Sequence, residues 1–166
     1  MSSDCNPEAG FAKPSAEHAW LMSHVGTWNV RCEFYMDPSQ PPMVVEATDT
    51  CEAHGPFFTV GRFEAEMFGT PFVGLAQMGY DPVAGEYVST WIDNFNPFMF
   101  RFAGRMDAAG EILEMRGRAP DPNSREVTDW RTTERHLDDG SRVFEMFMTI
   151  PGGPEVQLFT HRYVRA

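Results

Sequence analysis

Five histidines (His18, His24, His54, His136 and His161) and one carboxylate, Asp93, are the side chains of this sequence best placed to do chemistry. His18 and His24 lie six residues apart on a predicted helix, so they do not share a face as metal ligands at i and i+4 would. His54 precedes a Gly-Pro turn, and neither His-x-His nor His-Glu-x-x-His occurs. No metal and no cofactor are expected. His161 alternates with Phe159 and Tyr163 along the last predicted strand. If that face points inward, His161 is a polar group among aromatic rings. It is then either a core histidine hydrogen-bonded to a neighbour, or a ligand contact or general base.

Asp93 shares a strand face with Tyr87, Ser89 and Trp91. A carboxylate there is costly unless paired. It either caps the turn at "DNFNP" or orients a ligand or an interior arginine such as Arg116. No serine sits in a Gly-x-Ser-x-Gly elbow, and no glycine-rich phosphate loop is present. "PGGP" reads as a hairpin turn between strands. No nucleophile stands beside a recognisable base, so no catalytic residue is assigned.

These side chains must be positioned by strands. "PSAEHAWLMSHVG" reads as one short helix, with Ser15 as N-cap, Glu17 in the first turn and Gly26 as the stop. After Gly26 the period changes to two. "TWNVRCEFYM" places Trp28, Val30, Cys32, Phe34 and Met36 on one face, opposite Asn29, Arg31, Glu33 and Tyr35. "FMFRFAGRM" alternates Phe98, Phe100 and Phe102 against Met99, Arg101 and Ala103. Continuing in this way gives about ten short strands separated by turn signals. With no helices for crossovers, the strands pair as an antiparallel meander. Closure into a barrel removes both edges, and a barrel of this strand number leaves an interior cavity.

The chain has 166 residues, 42% of them hydrophobic and 13% aromatic, with a formal net charge of -11. This suits a single domain over 14–166 behind a loose tail over 1–13. The acidity argues against nucleic acid and anionic membrane as partners. The three cysteines, Cys5, Cys32 and Cys51, form no CxxC and no disulfide framework. No signal peptide or span of transmembrane length is read, so a soluble, reduced, cytoplasmic protein is expected.

Gly26-Thr27-Trp28 after a helix resembles the opening of lipocalins and their calycin relatives. The resemblance implies that Trp28 plugs one end of the barrel and that a C-terminal arginine, Arg165 or Arg162, lies across it. Four segments are more specific: "EHAWLMSHVGTW", "FGTPFVGLAQMGYDPVAGEYVSTWID", "FAGRMDAAGE" and "YVRA". In that order they resemble a bacterial family of calycin-like barrels, domain of unknown function 1579, over roughly residues 15–166. Nitrobindin-like barrels are also similar in strand number and in Gly-x-Trp, and they bind haem through a histidine near the C-terminus. They continue with a glycine-rich run ending in Tyr-Pro, which "NVRCEFYMD" lacks, so haem is not expected here.

The sequence therefore predicts an all-β, antiparallel, calycin-like barrel of about ten strands with one short N-terminal helix. Its interior is expected to bind a small apolar or amphipathic molecule. Trp91, Phe100, Met146, Phe159 and Tyr163 would form walls, and Asp93 and His161 would set orientation. Two other readings compete: an enzyme using His161 or Asp93 as acid/base in the same cavity, and a module that dimerises through "NFNPFMF" with no ligand.

Overall fold

The structure is a computed structural model and describes residues 12–166; most of the tail read over 1–13, with Cys5, lies outside the described residues. Helix α1 spans Ala16–Met22. Ser15 starts it, and His18 occupies the place a glutamate usually takes in a capping box. The His18 Nδ1 lies 3.0 Å from the Ser15 backbone nitrogen and 2.8 Å from its hydroxyl. The helix stops before Gly26. The amides of Ser23, His24 and Val25 donate to the carbonyls of Trp20, Leu21 and Met22, which tightens the last turn and releases the chain early.

Ten strands follow: β1 (Gly26–Phe34), β2 (Met43–His54), β3 (Phe58–Met67), β4 (Thr70–Asp81), β5 (Glu86–Asp93), β6 (Phe100–Met106), β7 (Ile112–Pro120), β8 (Val127–His136), β9 (Arg142–Thr149) and β10 (Glu155–Arg165). Each pairs antiparallel with its sequence neighbours, and β1 pairs with β10 to close the barrel. The fold is an all-β, calycin-like antiparallel barrel with one short helix. Among the described residues no helix is long and apolar enough to cross a membrane.

Alternation sets the inner face. Trp28, Val30 and Cys32 are buried along β1, and Arg142, Thr132, Trp130 and Tyr163 are buried on later strands. Two details differ from the sequence reading. β1 ends at Phe34, so Met36 lies in the following loop and is exposed. β6 begins at Phe100, so Phe98 and Met99 belong to the β5–β6 connection. Near the start of β10 the register shifts between Gln157 and Phe159, and beyond that bulge Cys32 faces His161 and Trp28 faces Arg165.

The apolar interior falls into two clusters rather than one. One gathers Leu21, Tyr87, Phe100, Phe102, Leu113 and Trp130; the other gathers Trp28, Val30, Cys32, Phe63 and Tyr163. Trp91 packs against both. Cys32 and Cys51 are buried and free.

One barrel end is closed by α1. Leu21 enters the first cluster, and Trp20 packs edge-on against Tyr87. Gly26 makes the closure possible. Its φ is +133°, and a Cβ there would fall 2.3 Å from Nη1 of Arg165. That guanidinium donates to the carbonyls of Ser23 and Val25 and lies 3.8 Å from the Trp28 ring centroid. Trp28 in turn donates its indole N–H to the carbonyl of His24. The spacing Gly-x-Trp thus lets one arginine satisfy the helix C-terminus and cover the tryptophan together.

Candidate functional site

Between the two clusters lies a cavity of about 380 Å³. Its walls are mostly aromatic and Met side chains. Trp91, Asp93, Phe100, Met146, Phe159, His161 and Tyr163 all line it. Phe68, Phe95 and Pro122, from the loops opposite α1, line it at the far end. Met36, Phe68, Phe95 and Met99 remain exposed on those loops, an apolar rim to the mouth.

Trp91 is held in place from two sides. Its indole N–H donates to Oδ2 of Asp93 at 2.9 Å. Across the β4–β5 pairing, Gly74 leaves the room the ring occupies, since a Cβ there would lie 2.1 Å from the indole. The other Asp93 oxygen, Oδ1, accepts from the backbone amides of Phe95 and Asn96. Asp93 therefore caps the turn and orients Trp91. It does not reach Arg116, which points outward and pairs with Glu114.

His161 sits deeper. Its imidazole stacks on Phe159 at 4.3 Å and on Phe63 at 5.4 Å between centroids. Its Nδ1 lies 3.5 Å from the Tyr163 hydroxyl, and its Nε2 is sealed from solvent with no partner among the described residues. Burial, and secondarily the nearby Arg142 charge, push its pKa down to about 3, so the ring is neutral at physiological pH.

At the α1 end the cavity floor carries a buried network that the sequence did not reveal. Arg142 donates Nη1 to Glu134 at 2.8 Å and Nη2 to Asp49 at 3.0 Å. Its guanidinium lies 3.6 Å from the Tyr163 ring centroid and 4.9 Å from that of Trp28. His24 approaches the same Glu134 oxygen with Nε2 at 2.8 Å, while its Nδ1 faces the carbonyls of Trp20 and Leu21. Both ring nitrogens thus lie within hydrogen-bond reach of oxygen atoms. Burial opposes the Glu134 charge, but His24 and Arg142 outweigh it and hold the carboxyl well below the usual range. For Asp49 burial wins over Arg142 and raises the carboxyl. The cysteine thiols gain no reactivity: burial pushes Cys51 up to about 11 and Cys32 up to about 12.

His24, Glu134 and His136 bring one ligand atom each to within 4.8 Å of one another, on a set of types that zinc accepts. Glu134 and His136 share a face of β8, and the sequence shows no motif because His24 comes from another part of the chain. The Arg142 guanidinium on the same Glu134 oxygen opposes a dication there.

The crystal structure of Rv2717c from M. tuberculosis is similar to this chain, with a TM-score of 0.69 and 15% identity over 93% of this chain and 99% of that one. At that identity the likeness shows the fold alone. A redesigned β barrel, at a TM-score of 0.42 and 12% identity over 93% of this chain and 99% of its own, is too distant to argue from. No curated protein matches the chain. A family model does match, over residues 13–165: the chain belongs to the family described as Protein of unknown function (DUF1579).

Proposed function

We propose that this chain is a non-catalytic cytoplasmic protein that holds a small apolar or amphipathic molecule inside its barrel. The observation that carries the reading is the cavity itself: about 380 Å³, mostly apolar, with an apolar rim at one end. That volume falls within the roughly 300–1,000 Å³ usual for small-molecule sites. Trp91, Phe100, Met146 and Phe159 supply the walls, and Met side chains adapt to varied apolar shapes. Asp93 acts by fixing Trp91, and His161 contributes a flat neutral ring rather than a charge.

Two features favour binding over catalysis. An imidazole whose pKa lies near 3 is a weak base, and its free nitrogen is sealed. Both Asp93 oxygens are already engaged. The cavity also weighs against a purely structural module, whose interior would be packed solid.

The test is a titration with medium-chain alcohols, aromatic alcohols and small terpenoids, followed by tryptophan fluorescence. At least one class should change the signal saturably, and Trp91→Phe should remove most of that change. No saturable change for any class up to millimolar concentration would defeat the reading.

A further inference from the structure

The floor of the cavity holds a cation that has no charge left to offer. Arg142 lines the cavity and is the obvious anchor for an acidic ligand, because arginine binds carboxylates in a two-pronged fashion. Here both prongs are taken, Nη1 by Glu134 and Nη2 by Asp49. The guanidinium face rests on Tyr163. The neighbouring His24 has Nε2 against Glu134 and Nδ1 against backbone carbonyls. One guanidinium thus meets two acidic side chains, and no positive charge is left unmatched at the floor. The remaining polar ring in the cavity, His161, is uncharged and packed between two phenyl rings.

We infer that the cavity selects uncharged ligands, such as alcohols, aldehydes, ketones or esters with an apolar body, and rejects fatty and aromatic carboxylates of the same shape. The inference rests on the reading of the cavity as a ligand site. A carboxylate entering the floor would lose its hydration and find Asp49 and Glu134 already holding Arg142, so its charge would be buried without a partner. An uncharged oxygen has far less hydration to lose. Nε, the one guanidinium nitrogen of Arg142 without a partner among the described residues, is a single donor suited to one such oxygen after a small side-chain adjustment.

The inference gives a selectivity that one substitution should undo. Asp49→Asn keeps the shape of the side chain and removes one of the two anions. The floor then carries one negative charge fewer, and Nη2 of Arg142 faces a neutral amide that a ligand carboxylate can displace.

The experiment is calorimetry with decanol, methyl decanoate and decanoate on the intact chain and on Asp49→Asn, at pH 8. In the intact chain decanoate should bind at least about tenfold more weakly than decanol. In Asp49→Asn the gap should narrow or reverse, chiefly through tighter decanoate binding. Decanoate binding to the intact chain as tightly as decanol overturns the inference while leaving the cavity a ligand site. A gap unchanged in a folded Asp49→Asn overturns the assignment of selectivity to the saturated arginine. If none of the three binds, the reading of the cavity fails with it. Where Asp49→Asn does not fold, the ratio in the intact chain decides.

Discussion

Arg142 and Tyr163 face each other across the β9–β10 pairing, with the guanidinium 3.6 Å from the ring centroid. The contact joins the charged floor to the aromatic wall. On one side Arg142 reaches Glu134 and Asp49; on the other the Tyr163 hydroxyl approaches His161. This one side chain ties β9 to β2, β8 and β10, the shared Glu134 links it to His24 after α1, and the same ties occupy both Nη atoms. Closure of the barrel end and the character of its interior therefore have a common cause.

Trp28 should be a principal determinant of stability. It is buried between Arg142 and Arg165 and donates to the carbonyl of His24. Trp28→Ala should cost about 3–5 kcal/mol in denaturant unfolding, as for other large core truncations. A loss below about 1 kcal/mol would mean that the barrel end does not depend on this plug.

Acid should destabilise the fold partly through His161. Its pKa is about 3 when folded and near 6.5 when unfolded. Between those values the unfolded chain takes up a proton that the folded chain refuses. Stability therefore falls as pH drops through this window, by up to about 1.4 kcal/mol per pH unit from this group, and is unaffected by it above the window. Glu134, held low, acts in the same sense at lower pH; Asp49, pushed up, acts in the opposite sense. His161→Phe should flatten the stability profile between about pH 6.5 and pH 4.5, above the main carboxylate range. An unchanged slope there would mean that His161 titrates normally in the folded protein.

Haem should not be retained. The His161 Nε2 is sealed, and the imidazole lies between Phe63 and Phe159, so iron could reach it only by displacing those rings. Reconstitution should give no stoichiometric Soret band. Such a band, abolished by His161→Ala, would show that the pocket opens far more than its packing suggests.

Much of this architecture was legible in the sequence because strand alternation has a period of two and turns carry their own residue types. Trp28, Val30 and Cys32 announce an inner face, and Gly26 before Trp28 announces a tight entry into β1. Trp91, Asp93, Phe100, Met146, Phe159, His161 and Tyr163 line the cavity because alternation turns their strand faces inward. Met36 was misplaced because alternation continues by chance past the end of β1. The charged floor was not legible. His24, Asp49, Glu134 and Arg142 are brought together by the barrel's closure, with bonded partners up to 110 residues apart and no local spacing to mark them. A buried Glu134 two residues before His136, on a strand face otherwise lined by Trp130 and Thr132, was the one available hint.

The central claim is that the cavity is a binding site and not a packing gap. It is tested most directly by filling it. Ser89 lines the cavity from β5, and Ser89→Phe would occupy part of its volume without removing a wall. Calorimetric titration of the intact chain with decanol should saturate at one molecule per chain. Ser89→Phe should keep the β-rich circular dichroism spectrum and lose that binding. Equal binding by the folded Ser89→Phe variant would place the ligand elsewhere and contradict the account.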